Sequence, residues 1–254
     1  MYYKITGKGK VIVLLHGFIE EGSMWNEIAK SLSKKYRVIV PDLEGFGSTP
    51  FSGKPLSMEK YAKDVFEMLK KEKAKQCIML GHSMGGYITL YFAEKYPELL
   101  TGFGLVNSHC FEDSPEKKLN RKKGNEFIAK HGSHIFVKEL YNTIFHDAFK
   151  KKEQKLIDGL IKQASNYTPE ALIAANTAMM KRKGKEEVLK NAQVPVLLIG
   201  GKQDPAAPLD LFLKQASLPP ITDFYLFDKT KHMSVFEKKK ETLSAIENFA
   251  KSYS

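Results

Sequence analysis

Cysteine is almost missing from this chain. Cys77 and Cys110 are the only two in 254 residues, so no disulfide framework can be built on them. Cys77 opens an apolar run, where a cysteine serves as a small hydrophobe. Long apolar stretches are missing too, and no run approaches the roughly 20 residues that span a bilayer. Met1-Tyr2-Tyr3-Lys4-Ile5 lacks the basic-then-apolar pattern of a secretory leader. These absences favour a reducing, cytoplasmic setting without a membrane partner. No His-Glu-x-x-His run and no Cys/His cluster offers a metal site, and no cofactor is implied. The glycines of Asp42-Leu43-Glu44-Gly45-Phe46-Gly47-Ser48 have neither the order of a phosphate loop nor a third glycine at the dinucleotide spacing, so they read as a structural turn.

Acidic residues are also in short supply, 29 against 40 basic ones, for a net charge of +11. The lysines fall in short runs such as Lys150-Lys151-Lys152, on amphipathic helical stretches without interleaved aromatic residues. That pattern fits a solvated basic surface and argues against a nucleic-acid partner. A small-molecule substrate is the partner class that remains.

What is present alternates. Residues 2–6 and 11–15 read as strands joined by Gly7-Lys8-Gly9-Lys10, an apparent antiparallel hairpin. Helix (23–35), strand (36–40), helix (57–73) and strand (77–80) follow, and then a helix from 87 and a strand over 102–107. From 112 to 191 no strand pattern occurs. Helices start there at Ser114-Pro115-Glu116 and Thr168-Pro169-Glu170, each a cap residue followed by proline. Alternation returns with strands at 194–201 and 222–227, separated by a helix at 209–217 and followed by another at 236–251. The expected fold is therefore α/β: a mostly parallel central sheet flanked by helices on both faces. Residues 1–111 and 192–254 form its core, and 112–191 form an inserted helical lid. Sites in such sheets lie beyond the carboxyl ends of the strands.

Three motifs fall at those ends. Gly81-His82-Ser83-Met84-Gly85-Gly86 places a serine between small residues at a strand-to-helix turn, where its hydroxyl projects from a tight bend. A serine hydroxyl needs a general base, and the base needs an orienting acid. His131, His134 and His146 lie within the insertion; only His232 follows it, in a loop after the last strand. Asp204 directly follows a strongly apolar strand, whereas Asp223 begins a strand and Asp210 lies within a helix. The set is therefore Ser83, Asp204 and His232. Leu14-Leu15-His16-Gly17-Phe18 ends another strand. The backbone N–H groups of Phe18 and Met84 are the expected donors to an oxyanion, with His16 and His82 as supporting residues. Candidates for the substrate pocket are Phe111, Phe136, Leu140, Met179 and Met180, and Trp25 is read as packing for the first helix.

These motifs resemble the α/β-hydrolase superfamily, in its small branch with a helical lid. The resemblance spans nearly the whole chain. It implies a lid inserted after the family's sixth strand, Ser83 as nucleophile, His232 as base and Asp204 as acid. Lys231 stands where relatives often have glycine, and Glu44 where many have proline. Dehalogenase-like and epoxide-hydrolase-like branches carry aspartate at the nucleophile position, so Ser83 argues against them. Menaquinone-pathway lyases often carry arginine where this chain has Tyr87. The expected activity is hydrolysis of a small to medium carboxylic ester through an acyl-enzyme. Carbon–carbon bond hydrolysis, a lyase reaction and a non-catalytic ligand receptor are the alternatives on the same fold.

Overall fold

The computed structural model describes residues 1–254. Seven strands form one sheet: β1 (Tyr3–Thr6), β2 (Val11–Leu15), β3 (Arg37–Pro41), β4 (Cys77–His82), β5 (Leu100–Val106), β6 (Val196–Gly201) and β7 (Thr222–Phe227). Their order in space is β1-β3-β2-β4-β5-β6-β7. All neighbours are parallel except β1, which runs antiparallel to β3.

Parallel strands need crossovers. The first part of the chain supplies α1 (Asn26–Leu32), α2 (Met58–Lys71) and α3 (Met84–Lys95). Five helices lie between β5 and β6: α4 (Pro115–Ile144), α5 (Asp147–Lys152), α6 (Gln154–Ala164), α7 (Pro169–Lys181) and α8 (Glu186–Lys190). The chain closes with α9 (Leu209–Ala216), α10 (Ser234–Glu237) and α11 (Lys239–Tyr253).

The central strands are apolar throughout because both faces are covered. Along β2 the period of two is plain. Val11, Val13 and Leu15 face one core, shared with α2, α3 and the inserted helices. Ile12 and Leu14 face another, built with Trp25, α1 and α11. Trp25 itself is wholly buried, in a 3-10 turn (Gly22–Trp25) just ahead of α1.

The first two strands are not a hairpin. β3 lies between them, with Ile39 opposite Ile5 on one side and opposite Val13 on the other. Burial explains the arrangement. β3 is almost wholly buried and needs a partner on each edge, whereas the largely exposed β1 suits the rim of the sheet. Gly7 and Gly9, at φ +73° and +98°, carry the chain across.

The insertion holds no strand, and its two main helices begin at capped serine and threonine. Ser114 Oγ accepts from the Lys117 N–H and Thr168 Oγ1 from the Ala171 N–H, with proline following each cap. α4 is broken at Gly132, where φ is +80° and ψ 172°. That conformation is essentially open only to glycine.

A methyl group would meet nothing within 4 Å at either Gly132 or Gly159, so only backbone preference separates the two. Gly132→Ala is expected to lose about 1–3 kcal/mol, whereas Gly159→Ala, inside α6, is expected to gain about 0.5–1 kcal/mol. Urea melts of the two variants check this, and equal shifts would contradict it.

Candidate active site

β4 ends at His82 and α3 begins at Met84, so Ser83 occupies the turn alone, at φ +52° and ψ −114°. Such a conformation costs a non-glycine residue of order 1–3 kcal/mol. Hydrogen bonds to both sides of the residue hold it. The Ser83 N–H donates to the Val106 carbonyl at 2.9 Å, and the Ser83 carbonyl accepts from the Gly86 N–H (2.9 Å) and Ser108 Oγ (2.8 Å). The flanking glycines are required by contact. A methyl group on Gly81 would strike the backbone of Gly85, and one on Gly85 would lie 2.6 Å from the Leu15 carbonyl oxygen.

His232, in the loop after β7, brings Nε2 to 2.8 Å from Ser83 Oγ. Its Nδ1 lies 2.9 Å from each Asp204 oxygen. A carboxylate only accepts, so Nδ1 carries the proton and Nε2 accepts from the serine hydroxyl. Asp204, just beyond β6, also accepts from the N–H groups of Ala206 (2.8 Å) and Ala207 (3.0 Å) and from Asn107 Nδ2 (3.0 Å). Burial opposes its ionisation, but the His232 ring and these donors outweigh burial and hold the carboxyl below its ordinary range. Asn107, at the end of β5, also donates to the Lys231 carbonyl at 3.0 Å and accepts from Ser234. It ties the acid to the loop that carries the histidine.

The other histidines around the site are clamps. His16 Nδ1–H donates to the Gly17 carbonyl at 2.8 Å, and Nε2 accepts from the Leu43 N–H at 2.9 Å. Burial pushes its pKa down to about 4, so it holds its loop as a neutral ring. His82 Nε2–H donates to the His232 carbonyl at 2.9 Å, and burial lowers its pKa to about 3. Phe18 lies in the loop after β2, and Met84 is the first residue of α3, where the leading N–H groups of a helix have no intrahelical partner.

A cavity of about 230 Å³ opens over Ser83 and His232. Phe18, Phe136, Leu140 and Met179 line it. Phe111 and Met180 do not. Phe111 turns away to stack on His109, with the Lys214 ammonium 4.9 Å from its ring centre. Met180 lies a further 100° around α7 from Met179. The cavity also has polar walls that sequence reasoning missed. Glu20 and Lys117 both line it. Glu20 is buried and accepts from the Tyr141 hydroxyl at 2.7 Å. Burial pushes its pKa up to about 7, against the pull of the Tyr141 bond. The only sequence signal was an acidic pair, Glu20-Glu21, following the apolar Phe18-Ile19.

Residues 10–157, more than half of the chain, match the alpha/beta hydrolase fold family. The chain belongs to that family. Among its relatives is an uncharacterized hydrolase of Bacillus subtilis, YugF, 27% identical over 258 residues that cover 96% of this chain and 90% of YugF. A pimeloyl-[acyl-carrier protein] methyl ester esterase of Vibrio cholerae is 22% identical over 91% of each chain. Among solved structures, a thermophilic esterase from Thermogutta terrifontis superposes with a TM-score of 0.94 at 26% identity, covering 99% of this chain and 93% of that one. This alpha/beta hydrolase thus has the seven-stranded, mostly parallel sheet of its fold.

The Glu20 carboxyl in this hydrolase generates a pH prediction. Unfolded, it loses its proton near 4.5; folded, near 7. Stability from this group is full below about pH 4.5 and falls as pH rises through 7, by about 3 kcal/mol. Glu20→Gln stays neutral and still accepts from Tyr141. It is expected to flatten that slope and to be the more stable protein at pH 8. Urea melts at pH 5 and pH 8 measure this, and an unchanged slope would contradict it.

Proposed function

We propose that this protein hydrolyses small to medium carboxylic esters through an acyl-enzyme on Ser83. The observation that carries the reading is the continuous chain of contacts from Ser83 Oγ through His232 to Asp204, at 2.8 and 2.9 Å, opening onto a cavity with both apolar and polar walls. In this reading His232 takes the serine proton as Oγ attacks the ester carbonyl. Asp204 keeps the imidazole in the Nδ1–H tautomer and stabilises the imidazolium that forms. The developing oxyanion accepts from the Phe18 and Met84 N–H groups, each worth roughly 3 kcal/mol of barrier. His232 then returns the proton to the leaving alcohol. Water, activated by the same imidazole, releases the acid.

In the same reading residues 112–191 act as a lid. α4 and α7 supply Phe136, Leu140 and Met179 to the cavity wall. The esterase names carried by relatives along the whole chain fit this assignment.

A series of methyl esters of increasing acyl length is expected to show turnover that Ser83→Ala reduces at least about 10⁴-fold. Asp204→Asn is expected to cost about 10⁴ in kcat. A fluorophosphonate should add its mass to the tryptic peptide containing Ser83 and to no other. Ester binding without turnover would replace this reading with a receptor, and turnover surviving in Ser83→Ala would move the nucleophile elsewhere.

A further inference from the structure

Lys117 and Arg121 line one wall of the cavity, and Arg121 shares a single carboxylate with Arg182. Asp113 is buried, and its Oδ2 accepts from Arg121 Nε at 2.5 Å while its Oδ1 accepts from Arg182 Nη1 at 2.7 Å. Both oxygens are therefore engaged in ion pairs. Lys117, one turn ahead of Arg121 on α4, lines the same cavity as Ser83. It is left without an anion. The nearby Glu112 pairs with Lys118 at 3.1 Å, and Glu20, the only acidic residue lining the cavity, is bound by Tyr141.

Lysines on a solvated face carry their ammonium out to water and their stem along the surface. Lys117 is half-buried instead. Burial, and then the charge of Arg121, lower its pKa from the ordinary lysine range. An unpaired, half-buried cation gains most from a ligand that brings the missing charge. Arg121 is pinned by Asp113 and by Asn176 Oδ1 at 3.0 Å, yet its Nη2 has no partner within the protein. Lys117 Nζ and Arg121 Nη2 are thus both left without a protein acceptor, on residues that line one cavity.

We propose that Lys117, with Arg121 beside it, binds a carboxylate on the acyl part of the substrate, so that the preferred substrates are half-esters of small dicarboxylic acids. This rests on the ester-hydrolase reading above. The ester carbonyl sits at Ser83 and the free carboxylate at the cationic wall. Water is consumed, and the alcohol and the dicarboxylate are released. A cavity of about 230 Å³ beside Ser83 has room for a short diacid.

Hydrolysis of monomethyl glutarate and of the uncharged methyl hexanoate, followed by pH-stat, tests the proposal. Wild type is expected to favour the half-ester in kcat/KM by about ten- to a hundredfold, the worth of a charge-assisted hydrogen bond. Lys117→Gln should lose most of that ratio, and Lys117→Glu should bring it below one, with cooperative thermal melts showing both variants folded. No preference in wild type, or an undiminished ratio in Lys117→Gln, overturns the proposal. Glutarate binding to Ser83→Ala by calorimetry separates the two readings. Binding that Lys117→Gln abolishes, without turnover of any ester, sinks the esterase and keeps the anion site. Turnover of methyl hexanoate with no glutarate binding does the reverse.

Discussion

The site depends on a place where three stretches of backbone come closer than side chains allow. Gly81 packs against the backbone of Gly85 and Gly86, and Gly85 packs against the carbonyls of Leu15 and His16. That approach bends the chain sharply enough to put Ser83 at φ +52°. It also fixes the distance between the serine turn and the loop after β2, which carries Phe18. Ser83 and the Phe18 and Met84 N–H groups are therefore placed by one packing constraint. The strain of a few kcal/mol at Ser83 is offset by its hydrogen bonds to Val106, Gly86 and Ser108, the first and last lying at the end of β5. Three adjacent parallel strands thus hold the turn from both sides.

Around that turn the protein keeps charge scarce. His16, His82 and His109 are buried, and burial pushes each well below the ordinary histidine range. Asp204 is the ionised group next to His232, and its charge is met by donors on every side. Positive charge is concentrated instead at Lys117 and Arg121 on α4 and at Arg182, and Asp113 pairs with the two arginines.

Much of this was legible because it is local. The glycine spacing around Ser83, the caps at Ser114 and Thr168, and the apolar strands preceding Asp204 and His16 are all read within a few residues. What escaped the sequence depends on distant partners. Glu20 is an unremarkable acid until Tyr141, 121 residues away, binds it under cover. Lys117 looks like any surface lysine until Arg121 and Arg182 claim both oxygens of Asp113. Asn107 was visible as the end of its strand, but its two-way grip on Asp204 and Lys231 exists only once β5 and β6 pair. The order of β1, β2 and β3 was missed for a related reason. A short glycine link is compatible with a hairpin, and only the demand of β3 for two partners decides against one.

The break in α4 connects these features. Lys117, Arg121 and Gly124 line the cavity, and so do Phe136, Leu140 and Ile144. Each set is spaced at three or four residues, one face of a helix. In a straight helix Lys117 and Ile144 would stand about 40 Å apart, far beyond a cavity of 230 Å³. The non-helical Gly132 folds the helix so that a cationic half and an apolar half close on one space. The apolar half is also fastened to the base. The His232 N–H donates to the Ile144 carbonyl at 3.0 Å, and Glu237 accepts from both His146 and Lys231. The apolar wall of the cavity and the His232 imidazole therefore share one anchor. A shift of the C-terminal half of α4 must either carry the His232 loop with it or break those bonds.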